Sequence, residues 1–136
     1  MKANELMIGD WVMVNDIEHT HPLQVAEIFN KCGVYYATLY WDGMPDNVKP
    51  EVLTADVDKV LPIPLTPEIL EKNGWMKVEA DSVFYPKQLK GELPLIVYAT
   101  DGDNWRFRIK DFCEIEYIHK LQQALRLCDI SKEIEL

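Results

Sequence analysis

Residues 65–75, LTPEILEKNGW, constrain the fold more tightly than any other stretch of this 136-residue chain, because both ends of a short helix are marked in them. Thr66 fits the N-cap, where a hydroxyl accepts one of the backbone N–H groups that a first turn leaves orphaned. Pro67 follows at N1, where its missing N–H costs nothing. Glu68 in the first turn suits the positive end of the helix dipole. Leu65 at N′ and Leu70 at N4 hold the positions of a hydrophobic staple. Gly74 falls at C′, able to turn left-handed, and Trp75 at C″ is placed to touch Leu70. The spacing predicts a helix over residues 67–73, a packing element and spacer between two strand-rich lobes, residues 1–65 and 66–136.

The first lobe reads as short strands. In LMIGDWVMVN, Gly9-Asp10 is a turn signal, and Trp11 to Val14 alternate, with Trp11 and Met13 on one face and Val12 and Val14 on the other. LQVAEIFN puts Val25 and Ile28 on opposite faces, GVYYATLYWDG is rich in strand formers, and the prolines of DKVLPIPL exclude a central strand. Strands at this spacing predict a small, strongly bent antiparallel sheet. The IGDWVMV opening resembles the first strand of SH3-like or Tudor-like barrels, so the expectation is an N-terminal SH3-like β-barrel. Barrels of this kind host many unrelated functions, and often bind peptides or nucleic acids through exposed aromatics. Candidates here are Trp11, Tyr36, Tyr40 and Trp41. On a two-residue period Tyr36 and Tyr40 share one face and Tyr35 and Trp41 the other, and one of the two sets belongs to the core.

The second lobe reads as another antiparallel sheet ending in an amphipathic helix, which makes the whole chain α+β. MKVEADSVFYPK suggests edge strands, and LPLIVYAT is a buried strand by its continuous apolar run. WRFRIKDF alternates, with Trp105, Phe107 and Ile109 toward a core and Arg106, Arg108 and Lys110 toward solvent. That basic face could grip phosphates or a carboxylate, although Asp101, Asp103, Glu114 and Glu116 are near enough in sequence to neutralise it. In YIHKLQQALRLC, Ile118, Leu121, Leu125 and Cys128 form a helical stripe widened by Ala124 and Leu127. His119, Lys120, Gln123 and Arg126 are expected on the other side, with Gln122 at the border.

Charge and motifs exclude more than they assign. The net charge is −9, and residues 1–65 hold ten acids against four bases, a net of −6. An excess of acid repels phosphates and argues against a general nucleic-acid binder. Cys32, Cys113 and Cys128 form no CxxC pair, and free thiols in a reducing compartment are expected. A thiol nucleophile needs a histidine or a helix start beside it, and only Cys113, six residues before His119, comes near that arrangement. No nucleotide fingerprint and no HExxH occur. His19 and His21 flank Thr20 as a conceivable metal pair with Asp16 or Glu18, but they read as a loop tip before Pro22. MKANELMIGDW has no long apolar run, so a secretory signal is not expected, nor is a membrane span, and the chain reads as cytoplasmic. No catalytic residue, cofactor or metal is assigned.

Three stretches together resemble a family of small uncharacterised proteins of Bacteroides-type bacteria and their phages and prophages. LMIGDWV at residues 6–12 is similar to its LRIGNYV-like opening. Pro62 to Trp75 is similar to its PIPLTEEIL…GF segment. Tyr117, His119, Leu121, Gln122 and Leu125 match its YVHQLQNLYFALTGEEL close, with Glu133 and Leu136 aligned more loosely. Gln123 replaces the family's usual Asn, and CDISKEIEL replaces LTGEEL. The resemblance implies a phage or mobile-element setting, brings no activity, and marks Tyr117, His119 and Gln122 as a structural motif. The resulting expectation is a non-catalytic accessory protein that binds another protein. The alternative is a nucleic-acid-associated protein using the barrel aromatics and the Arg106/Arg108/Lys110 strand face.

Overall fold

The computed structural model describes residues 1–16, 18, 20–41, 51–78, 83–86, 97–100, 106–109, 114–131 and 133–136. The chain divides into two compact units, Met1–Ile63 and Pro64–Leu136.

The first unit is one antiparallel sheet of five strands: β1 (Trp11–Val14), β2 (Leu23–Lys31), β3 (Val34–Trp41), β4 (Glu51–Asp56) and β5 (Val60–Pro62). Their order is β4-β3-β2-β1-β5. Among the described residues β4 and β5 share no ladder, so the sheet is open and the expected barrel is met only as far as this sheet. The chain passes from β4 to β5 through a 3-10 turn, Val57–Lys59, and not through a hairpin. Pro62, which has no N–H, then closes the short edge strand.

One face of the sheet carries a buried core of Leu6, Val12, Val14, Leu23, Val25, Ala37, Leu39, Ala55, Val57 and Val60. Val25 and Ile28 were expected on opposite faces, yet both turn toward this core, Val25 buried and Ile28 packed against it. The register shifts between Val25 and Glu27. This bulge adds one residue to β2 and reverses the alternation beyond it. The β2–β3 hairpin closes on Cys32 and Gly33, both with positive φ, at 53° and 85°. Two positive φ values match the type I′ turn that suits twisted strands. Asn30 braces it, its Oδ1 accepting the Gly33 N–H at 3.1 Å.

The second unit holds five further strands: β6 (Trp75–Val78), β7 (Val83–Pro86), β8 (Val97–Thr100), β9 (Arg106–Ile109) and β10 (Glu114–Ile115). They form a sheet of order β10-β9-β8-β7-β6, antiparallel throughout. The helix α1 (Pro67–Lys72) precedes β6 with the expected ends. The Ile69 N–H donates to Thr66 Oγ1 at 3.4 Å, and Gly74 takes φ 90°. The helix α2 (Ile118–Leu127) follows β10. A bridge between Pro64 and Tyr117, with the Leu65 N–H donating to Glu116 O at 3.0 Å, ties the starts of the two helices.

The face of α2 departs from expectation at two residues. Leu127, read as part of the apolar stripe, is 83% exposed. It lies nine residues after Ile118, about 180° around the helix at ~100° per residue. His119, read as solvent-facing, is only 2% exposed, and Gln122 is buried beside Ile118, Leu121 and Leu125 on the same face. The stripe that packs inward is therefore broader than the aliphatic positions alone. It takes in an imidazole and an amide, whose rims are polar but whose bodies pack.

The chain ends in an ordered tail. Beyond α2, Asp129 has φ 56°, the Asp129 N–H donates to Arg126 O at 3.0 Å, and the Ile130 N–H to Leu125 O at 2.9 Å. That bond pair is a Schellman motif with aspartate where glycine is usual. Ile130 and Ile134 are buried. Asn73, at the C-terminal cap of α1, clamps the tail. Its Nδ2 donates to Ile69 O at 2.8 Å and to Glu135 O at 2.7 Å, and its Oδ1 accepts the Glu135 N–H at 2.8 Å.

Candidate functional site

Among the described residues, a row of aromatic and apolar side chains lies on the outer face of the first unit's sheet. Cross-strand pairing places Trp11 opposite Gln24, Gln24 opposite Tyr40, and Tyr40 opposite Val52. These four residues form a row across β1, β2, β3 and β4 on the face away from the core. Trp11, Gln24 and Tyr40 are half-buried, and Val52 is 66% exposed. Beside Trp11 on β1, Met13 faces the exposed Leu61 of β5. Neighbours in register on one face are close enough to act as a single surface.

Of the four aromatic candidates, the sheet brings together Trp11 and Tyr40. Tyr36 shares their face but lies toward the hairpin end of β3, stacked on Phe29 with ring centroids 5.7 Å apart. Trp41 belongs to the opposite face. It packs on the buried core and on His21, with centroids at 4.1 Å. Its parity with Ala37 and Leu39, both buried, explains this. Tyr35 has that parity too, but it sits past the end of the core and is 51% exposed.

Tyr35 opens onto a second feature, a shallow cleft of about 640 Å³. Ala3, Ile28 and Val57 give the cleft apolar lining, and Val34 and Tyr35 come from the hairpin end. Asp56 and Asp58 supply carboxylates, and Lys2 one ammonium. Local hydrogen bonds set these walls. The Met1 amine donates to Val57 O at 3.3 Å and to Val60 O at 2.9 Å, which holds Lys2 and Ala3 in place. Asp56 caps the 3-10 turn, its Oδ1 accepting the Asp58 N–H at 3.0 Å. Neither the Val52 edge of the row nor the β4 strand that carries it was marked in the sequence. The alternation of EVLTAD was the available signal.

On the second unit, Arg108 is exposed and pairs in register with Glu114 of β10, also exposed. The strand that was to present a basic face thus sets an acid across from its central arginine, and opposite charges facing each other on a sheet offset one another. Arg106 stands on β9 opposite Thr100 of β8. Lys110, Trp105, Asp101, Asp103, Cys113 and His19 lie outside the described residues. Tyr117 stacks on His119 with centroids 5.7 Å apart and 13° between planes, while Gln122 is buried one turn further along α2. Among the described residues no three His, Cys, Asp or Glu side chains gather as a metal site, and no helix is long and apolar enough to cross a membrane.

Comparison of the chain with protein-family models, with curated proteins and with solved structures returns no match.

Proposed function

We propose that this is a non-catalytic accessory protein, of phage or mobile-element type, that binds another protein through its first unit. The row Trp11–Gln24–Tyr40–Val52 carries the reading. Two aromatics and an exposed aliphatic in register make a surface of the composition found at protein interfaces, where Trp and Tyr are enriched. The order β4-β3-β2-β1-β5, with a 3-10 turn leading into the edge strand, supports reading the unit as an SH3-like sheet. Such folds host many functions, so the weight rests on the surface. The net charge of −6 over residues 1–65 and the placing of Glu114 across from Arg108 both favour a protein over a nucleic acid.

The test is mass-resolved co-purification with the tagged full chain, followed by reconstitution from purified components. A stoichiometric complex is expected, weakened by Val52→Asp, which alters an exposed side chain without touching the core. A chain that forms no complex but turns over a metabolite would sink the reading. Binding to single- or double-stranded DNA that strengthens as salt falls would transfer it to the nucleic-acid class.

A further inference from the structure

The cleft beside the β2–β3 hairpin differs from the outer row in chemistry. Its lining is apolar at Ala3, Ile28 and Val57, its wall offers an exposed tyrosine, and its carboxylates outnumber its single ammonium. We infer that this cleft receives a cationic segment of the partner protein, with Arg or Lys set beside an aliphatic or aromatic anchor. The inference rests on the protein-binding reading and adds the docking point and the partner's chemistry to it.

Charge complementarity selects the occupant. Asp56, the last residue of β4, and Asp58, in the 3-10 turn that follows, stand two residues apart in a half of the chain with ten acids and four bases. An acidic segment entering there meets net repulsion, and a neutral one leaves two carboxylates facing a single ammonium. A guanidinium or ammonium with a short apolar neighbour satisfies both the carboxylates and the lining. A Tyr35 ring half open to solvent offers a face to the cation as well. The cleft is also built in advance, by the Asn30 brace on the hairpin, the Asp56 cap on the 3-10 turn and the Met1 tether. Walls already fixed lose little freedom when a ligand enters, which favours binding of a short segment.

The acetylated and amidated hexapeptide Arg-Leu-Arg-Leu-Arg-Leu is the probe, titrated into the labelled full chain by NMR. Saturable shifts are expected at the Gly33, Val34, Tyr35 and Asp58 amides. They should weaken as ionic strength rises from ~0.01 to ~0.15 M, which shortens the screening length from about 30 to about 8 Å. Asp56→Asn with Asp58→Asn should cost about fivefold in affinity, in the range of partly exposed charge pairs. Asparagine caps as well as aspartate, so the 3-10 turn survives that change. Tyr35→Ala should weaken binding further. Lys2→Glu, at an exposed residue, should tighten it.

The inference is overturned if a glycine-for-leucine peptide binds equally well, if the double asparagine variant binds unchanged, or if the shifts fall on Trp11 and Tyr40 instead. Light scattering that shows a dimer dissolved by the same variant would give the cleft to a second copy and overturn it too. A natural partner held equally by the wild type and by the Tyr35, Asp56 and Asp58 variants would remove the cleft while leaving the protein-binding reading in place.

Discussion

Removing the Asn73 side chain should release the C-terminal tail before it harms anything else. The Asn73→Ala change deletes three hydrogen bonds, two donated by Nδ2 at 2.8 and 2.7 Å and one accepted by Oδ1 at 2.8 Å. Each such bond contributes roughly 0.5–1.5 kcal/mol net. Glu135 is exposed, so water can recover part of the loss on its N–H and C=O, whereas Asn73 itself is buried. The expected cost is therefore about 2–3 kcal/mol, toward the middle of the three-bond range. Hydrogen exchange of the peptide covering residues 129–136 is the assay, because the tail's opening is a local event. Only the two bonds to Glu135 tie the tail, so about 1–2 kcal/mol of that cost falls on its opening, and at 1.4 kcal/mol per factor of ten exchange at Ile134 and Glu135 should rise about 5- to 30-fold. Asn73→Asp sharpens the test. It keeps the shape but sets a carboxylate oxygen against the carbonyls of Ile69 and Glu135, so it should exceed alanine at neutral pH and recover when the carboxyl is protonated. Unchanged exchange in Asn73→Ala, or an aspartate variant as well protected as wild type at pH 7, would refute the clamp.

Four other outcomes follow from single positions. His119→Ala empties a buried ring site and should cost about 2–3 kcal/mol in denaturant midpoint analysis, without loss of partner binding if the row on the first unit is the site. Cys32→Asn puts the favoured Asn-Gly pair into a turn whose first residue has φ 53°, and should stabilise by about 0.5–1 kcal/mol on equilibrium unfolding. Asp129→Gly relieves a left-handed residue and removes a negative charge from the α2 C-terminus, and should raise stability by about 1 kcal/mol. Glu68 should titrate below its ordinary 4.5, held down first by a hydrogen bond from its own backbone N–H and then by one from the Thr66 hydroxyl, with a small opposing push from desolvation. With the folded value depressed, its stabilising effect is present above pH 4.5 and is lost as pH falls through the folded value. Carboxyl NMR that gives a midpoint at or above 4.5 would contradict this.

Local chemistry was legible in the sequence, and long-range consequence was not. The ends of α1 could be read because Thr66, Pro67 and Gly74 each act within a few residues of themselves. Asn73, read only as the last residue of that helix, clamps a segment 62 residues away, and no local pattern signals such a bond. The cysteine of the Cys32–Gly33 turn is not a turn former by composition, so half of the type I′ signature was hidden. His119 looked solvent-facing because periodicity was judged on aliphatic residues. The buried face of α2 takes in the residues just after and four beyond Ile118, and the polar identity of His119 and Gln122 concealed it.

The candidate surface was legible only as a set of residue types, because its membership depends on register. Alternation correctly paired Tyr36 with Tyr40 and set Tyr35 with Trp41, but it could not say which pair faced the core. Ala37 and Leu39 decide that, since they are the buried residues of β3 and share the parity of Trp41. Alternation also could not say which residues of other strands join Tyr40. That requires the pairing of β3 with both β2 and β4, including the bulge between Val25 and Glu27. Were Ala26 paired in regular alternation instead of bulged out, Glu27 and Phe29 would turn inward and Ile28 outward, placing a carboxylate against Ala37 and Leu39 in the core. The bulge keeps Glu27 at the surface, where Thr38 donates to its Oε2 at 3.4 Å. Bulging Ala26 out of the ladder thus preserves the core on one face and leaves Trp11, Gln24, Tyr40 and Val52 aligned on the other. Deleting Ala26 removes the bulge together with the residue it absorbs, and is therefore expected to leave both faces in place, with Glu27 still outward and Ile28 still inward.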